Sequence, residues 1–97
     1  MNAQPNVVNK DGKTPLHLLL GFEAYYYSES KEIQAPRLVR LLLERGANVN
    51  AQDKDNTTPL HLAVKWGSCE MEQSILEHDA QLNLVDKDGK TPLYLAL

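Results

Sequence analysis

The chain has 97 residues, 42% of them hydrophobic and 24% charged, with a formal net charge of −3. That balance excludes wholesale disorder and suits one small soluble domain, whose core is marginal unless every residue buries apolar surface efficiently. The mild acidity, with no basic stripe against it, removes the long-range attraction that nucleic-acid binding and polybasic membrane adhesion require.

No apolar run approaches the roughly 18 residues needed to span a bilayer. The first residues, Met1-Asn2-Ala3-Gln4-Pro5-Asn6, carry no apolar segment of the signal-peptide kind. The single cysteine, Cys69, cannot form an internal disulfide, which points to a reducing compartment, the cytoplasm or nucleus. It is expected as a partly buried, unreactive thiol.

In chain order, the first segment sets a pattern that returns twice. Residues 3–20 read AQPNVVNKDGKTPLHLLL and residues 80–97 read AQLNLVDKDGKTPLYLAL, identical at 13 of 18 positions. Residues 47–64, ANVNAQDKDNTTPLHLAV, form a third copy. Thr-Pro-Leu recurs at Thr14, Thr58 and Thr91, the first interval being longer than the second. Thr offers an N-cap hydroxyl and Pro fits the first helical position, so an inner helix is predicted to start at each. Leu16, Leu60 and Leu93 begin their buried stripes.

Gly12 and Gly89 permit a turn ahead of the first and last of these helices, and Asn56, which tolerates the left-handed region, stands at the same place in the middle copy. Outer helices are predicted from about Pro36 to Arg45 and from about Ser68 to His78. Leu38, Leu41, Leu42 and Leu43 would supply the apolar face of the first; Met71, Ile75 and Leu76 would supply the thinner face of the second. Gly46, after the first outer helix, becomes Asp79 after the second, a poorer helix terminator that implies some strain.

A 33-residue period carrying Thr-Pro-Leu-His resembles the ankyrin repeat family. Arg45-Gly46-Ala47-Asn48-Val49-Asn50-Ala51 is similar to that family's turn after the second helix. Asp86-Lys87-Asp88-Gly89-Lys90-Thr91-Pro92-Leu93 is similar to its hairpin entering the next repeat. The resemblance implies an all-α repeat solenoid of helix-turn-helix units joined by β-hairpin-like turns, stabilised mainly by stacking between neighbours. It divides the single domain 1–97 into the tail of a preceding repeat (1–9), a repeat with an 11-residue insertion at 23–33 (10–52), a full repeat (53–85) and a partial repeat (86–97). Neither end falls at a repeat boundary, so a segment of a longer array is expected, or ends covered by a second copy.

The insertion, EAYYYSESKEI, holds Tyr25, Tyr26 and Tyr27. It reads either as a helix extension packed on a neighbouring repeat or as a protruding contact loop, since Tyr offers large area with few rotatable bonds.

Catalytic chemistry has no foothold, because no nucleophile, base or phosphate-binding glycine loop is placed by any motif. No cofactor is expected. His17 and His61 occupy the same repeat position and read as structural, bonding at the turn. Tyr94 replaces them in the last copy, which a metal-ligand role would not easily tolerate. His78 is placed to favour the end of an outer helix.

The resemblance also implies a protein partner, contacted by hairpin tips and the inner-helix surface. The tip positions are Lys10, Asp11 and Lys13, then Lys54, Asp55 and Thr57, then Lys87, Asp88 and Lys90. On the inner helices, Gly21 and Phe22, then Lys65 and Trp66, are the matching positions. Phe22 and Trp66 form a candidate aromatic pair one repeat apart, unless Trp66 lies flat against its neighbour. The competing function is a structural spacer or a self-associating segment that forms homo-oligomers through uncapped apolar ends.

Overall fold

The computed structural model describes residues 5–21, 35–66 and 69–96. Within them lie α1 (Pro15–Leu20), α2 (Ala35–Glu44), α3 (Pro59–Trp66), α4 (Cys69–Glu77) and α5 (Pro92–Ala96), and no strand. The predicted tyrosine insertion, Phe22 and the start of the second outer helix at Ser68 lie outside the described residues.

The helices form two layers. α3 packs between α1 and α5, making an inner row, while α2 and α4 pack on each other in an outer row. α1 also packs on α2, and α3 on α4, so each inner helix leans on the outer helix that follows it. The chain is an all-α repeat solenoid.

Each inner helix starts by a local bonding pattern. Thr14 has extended backbone at the N-cap, and its hydroxyl accepts the His17 N–H. The Thr14 N–H in turn donates to His17 Nδ1 at 3.1 Å, closing a reciprocal cap in which histidine takes the place usually held by Glu or Gln. Thr58 and His61 repeat the arrangement at 3.1 and 3.2 Å. A backbone N–H can only donate, so Nδ1 accepts and Nε2 carries the ring proton. That proton reaches the next repeat: His17 Nε2 donates to Thr57 O and His61 Nε2 to Lys90 O, both at 2.8 Å. The histidines are structural, as expected.

Two further ties join neighbouring repeats. At the hairpins, Lys54 N–H donates to Asp11 O at 3.0 Å and Lys87 N–H to Asp55 O at 2.9 Å. After the outer helices, Asn6 Oδ1 accepts the Asn48 N–H at 2.7 Å and Asn50 Oδ1 accepts the Gln81 N–H at 2.8 Å. Thus three kinds of rung recur with the repeat.

The core is Leu16, Leu20, Val39, Leu43, Val49, Leu60, Ala63, Met71 and Ile75. Four expected core positions are corrected. Leu38 and Leu41 are exposed, and α2 instead buries Val39 and Leu43, one turn apart, with Leu42 partly buried. Leu76 and Leu93 are also exposed. The reason is neighbour placement. Met71 and Ser74, one repeat period after Leu38 and Leu41, are buried on α4, which has α2 beside it; no described outer helix lies on the other side of α2. By the same logic Leu43 is buried and Leu76 is not. Leu60 is 3% exposed whereas Leu93 is 69% exposed, because no described outer helix packs on α5. Cys69 is exposed, contrary to expectation, at the first residue of α4.

α2 ends with Gly46 at φ 93°, the Ala47 N–H bonded to Leu42 O and the Gly46 N–H to Leu43 O. This is a Schellman termination. Asp79 takes the same place after α4 at φ 64°, a left-handed conformation that a side chain disfavours. Asp79→Gly is therefore expected to raise stability by about 0.5–1 kcal/mol in urea unfolding. The hairpin glycines give the opposite sign. At Gly12 a Cβ would meet Lys54 N at 3.2 Å, whereas at Gly89 it would meet nothing within 4 Å. Both have positive φ, so Gly89→Ala carries the backbone cost alone, about 1 kcal/mol, and Gly12→Ala should cost measurably more.

Candidate protein-interaction surface

The hairpins share one internal design. Asn9 Oδ1 accepts the N–H groups of Asp11 and Lys13 at 2.9 and 3.0 Å. Asp53 Oδ1 does the same for Asp55 and Thr57, and Asp86 Oδ1 for Asp88 and Lys90. A backbone bond closes each turn, from Gly12 to Asn9, Asn56 to Asp53 and Gly89 to Asp86. Asn56 holds φ 61°, so the middle turn keeps its left-handed residue without glycine. The tips are thereby fixed by bonds within each hairpin.

Four of the predicted tip residues are tied to each other. Lys54 Nζ lies 3.1 Å from the Asp11 carboxylate, and Lys87 Nζ lies 3.8 Å from that of Asp55. The Asp11 carboxylate raises the Lys54 ammonium pKa above its ordinary value, first by hydrogen bonding and then by charge. These are solvent-screened pairs and contribute little stability individually. Lys10 is exposed and Lys13 partly buried at the first hairpin.

Five others converge. Thr57, Lys65, Trp66, Asp88 and Lys90 line one groove of about 170 Å³ between α3 and the last hairpin. His61, Leu62, Asp86 and Leu95 complete it. Lys65 Nζ sits 5.4 Å from the centroid of the Trp66 ring, and Lys90 Nζ 5.5 Å from that of Tyr94. Both distances fit cation–π attraction. Trp66 is partly buried, neither hidden in the core nor fully in solvent. Phe22, Tyr25, Tyr26 and Tyr27 lie outside the described residues.

Leu62 and Leu95 were not assigned to a contact face from the sequence, although their signal was present. They stand one repeat period apart, and Leu62 lies one helical turn before Trp66. A second, wholly different hollow of about 300 Å³ lies on the opposite end of the stack. It is lined by Pro5, Leu19, Leu38, Leu41, Leu42 and Arg45.

Asp86 also governs acid behaviour here. The Lys90 N–H, then the Asp88 N–H, stabilise its ionised form and lower its pKa, with the Lys90 ammonium adding favourable charge. A carboxyl depressed in the folded state contributes stability that is present above about pH 4 and is lost as pH falls through the folded value. Asp86→Asn should flatten that acid loss in urea midpoints measured between about pH 5 and pH 2. The hairpin itself should survive the change, since the Asn9 amide already performs this bonding in the first hairpin.

Among the described residues no three His, Cys, Asp or Glu side chains are grouped to hold a metal. No described helix is long and apolar enough to cross a membrane. What the fold presents is a stack of hairpins above a helical floor, which defines a helical repeat protein.

Two family models match the sequence. One, described as ankyrin repeats in many copies, covers residues 35–96, and one described as an ankyrin repeat covers residues 11–54. The chain belongs to the ankyrin repeat family. An ankyrin repeat protein of Rickettsia felis is 33% identical over 70 residues, 72% of this chain and 28% of its own length. Human Rabankyrin-5 is 38% identical over 63 residues, 65% of this chain and 4% of its own. A Dictyostelium discoideum protein named stress-activated protein kinase alpha is 33% identical over 63 residues, 65% of this chain and 9% of its own. The chain thus spans under a third of the length of each of these relatives. Ankyrin repeats generally mediate protein–protein interaction and are generally non-catalytic.

Proposed function

We propose that this chain is a non-catalytic recognition segment of a longer ankyrin array, binding a protein partner through its hairpin tips and inner-helix face. The observation that carries this reading is the convergence of Thr57, Lys65, Trp66, Asp88 and Lys90 on one groove. A half-buried Trp flanked by charge is the kind of anchor that dominates interface energies. The rigid hairpins support it, because little ordering entropy is lost on contact.

The test is site-specific photocrosslinking in cells, with the crosslinker at Leu62 or at Glu77 on the outer layer. A protein captured from Leu62 and not from Glu77, whose affinity falls by about tenfold or more on Trp66→Ala, fits the proposal. Capture from the outer layer alone would sink it.

Self-association is the second reading, favoured by exposed Leu38, Leu41, Leu93 and Tyr94. Stacking two copies in repeat register, however, leaves the place of an outer helix against α5 empty. A sedimentation coefficient unchanged across a wide concentration range would remove this alternative.

A further inference from the structure

We infer that this chain associates head to tail with a second copy of itself, the first hairpin of one copy stacking on the last hairpin of another so that Lys10 engages Asp88. This rests on the self-association reading and names its interface.

Each hairpin carries the same pair of neighbours, Lys10-Asp11, Lys54-Asp55 and Lys87-Asp88. At both junctions inside the chain these pairs couple in one sense, the Asp of one hairpin receiving the Lys of the next twice over. The Asp carbonyl accepts the Lys N–H, at 3.0 Å between Asp11 and Lys54 and at 2.9 Å between Asp55 and Lys87. The Asp carboxylate meets the Lys ammonium, at 3.1 and 3.8 Å respectively. The middle hairpin therefore uses both of its residues, Lys54 backwards and Asp55 forwards. The outer hairpins each use one. Lys10 is left over at the first, and the carbonyl and carboxylate of Asp88 at the last. Both residues are exposed, and these groups have no partner among the described residues.

The leftover halves are complementary. An N–H donor and a cation stand on one residue, an acceptor and an anion on the other. A second copy placed at the chain's own stacking register closes the same double contact a third time. Two like ends cannot do so, because Lys10 against Lys10, or Asp88 against Asp88, sets equal charges together. The contact is thus heterologous and repeats with every further copy, giving an open row rather than a closed pair. Exposed apolar residues flank the same two hairpins: Val7, Val8 and Leu18 beside the first, Val85, Leu93 and Tyr94 beside the last. Both hairpins are already held by internal bonds, so little order is lost on contact.

The contact is weak by construction. Its charges are solvent-screened. The histidine rung is missing from it, because Tyr94 stands at the position from which His17 and His61 reach the next hairpin. The place of an outer helix against α5 also stays empty. Association therefore belongs to high concentration and low salt.

Sedimentation velocity of the full chain at low salt, from micromolar to millimolar concentration, tests the interface. The wild type is compared with Lys10→Glu, with Asp88→Lys and with an equimolar mixture of the two variants, each checked for folding by circular dichroism. The wild type is expected to sediment faster as concentration rises. Either variant alone sets like charges at the junction and should associate about fivefold or more weakly. The mixture should regain the wild-type behaviour, because the reversed head of one variant fits the reversed tail of the other. Association unchanged in both variants, or a mixture no stronger than either variant alone, would overturn the Lys10–Asp88 interface and leave self-association standing. A wild-type sedimentation coefficient that stays constant would overturn both.

Discussion

Replacing His61 with alanine is expected to lower the unfolding free energy by about 3 kcal/mol, more than any surface change in the molecule. His61 is 2% exposed, and its ring joins three groups: the Thr58 N–H at 3.1 Å, the Thr58 hydroxyl at 2.7 Å and the Lys90 carbonyl at 2.8 Å. Alanine leaves the buried Thr58 amide without its acceptor, takes from the Lys90 carbonyl one of its two donors (the Asp86 N–H remains), and opens a cavity behind the cap. The unpaired buried amide costs about 1–3 kcal/mol, and the lost bond to Lys90 and the cavity add to it, which sets the magnitude. The loss should be localised as well as large. Amide exchange at Leu95, whose N–H bonds Thr91 O at the start of α5, should accelerate before exchange in α2 does. Tyr94→Ala is the matched control: it stands at the same repeat position, is exposed and makes no equivalent ring bond among those described, so its effect should stay within about 0.5 kcal/mol. Equal losses from the two substitutions would show that the ring bonds carry little of the stability.

Leu60→Ala and Leu93→Ala form the second pair. Both leucines follow Thr-Pro at the head of an inner helix, one repeat period apart. Leu60 lies in the core under α4, and truncating it should cost about 3 kcal/mol through lost transfer energy and the cavity left behind. Leu93 is mostly solvated, so its truncation should cost under about 0.5 kcal/mol. Two urea curves settle the matter. A large loss from Leu93→Ala would mean that another surface covers it in solution, and light scattering on the same sample would reveal a second copy there.

Much of the fold was legible in the residues because it is local. Thr-Pro starts a helix and Gly or Asn turns a hairpin by chemistry contained within a few positions, so the inner helices and their turns were readable without any contact map. The left-handed residues at Asn56 and Asp79 were readable for the same reason. Which face of the outer helix is buried was not. Leu38, Val39, Leu41, Leu42 and Leu43 give α2 two adjacent apolar faces, and only the placement of α4 decides between them. The tip charges show the same limit. Their Lys–Asp alternation was visible, but that Lys54 reaches back to Asp11, and Lys87 to Asp55, depends on the stacking register. The groove was half legible: Trp66 and its lysine stood out by type, while Leu62 and Leu95 looked like ordinary helix residues until the last hairpin closed over them.

The rungs between repeats have a consequence for how such a chain can change over generations. The recurring ties are written in residues of the motif itself: a His reaching the next hairpin, a hairpin amide reaching the previous one, and an Asn reaching the next turn. A unit copied or deleted in steps of one period brings both halves of its couplings with it, so lengthening or shortening the array needs no compensating substitution elsewhere. Novelty is therefore cheapest where no coupling is written. The additional segment at 23–33 falls there in the sequence, between the two helices of one unit rather than at a junction.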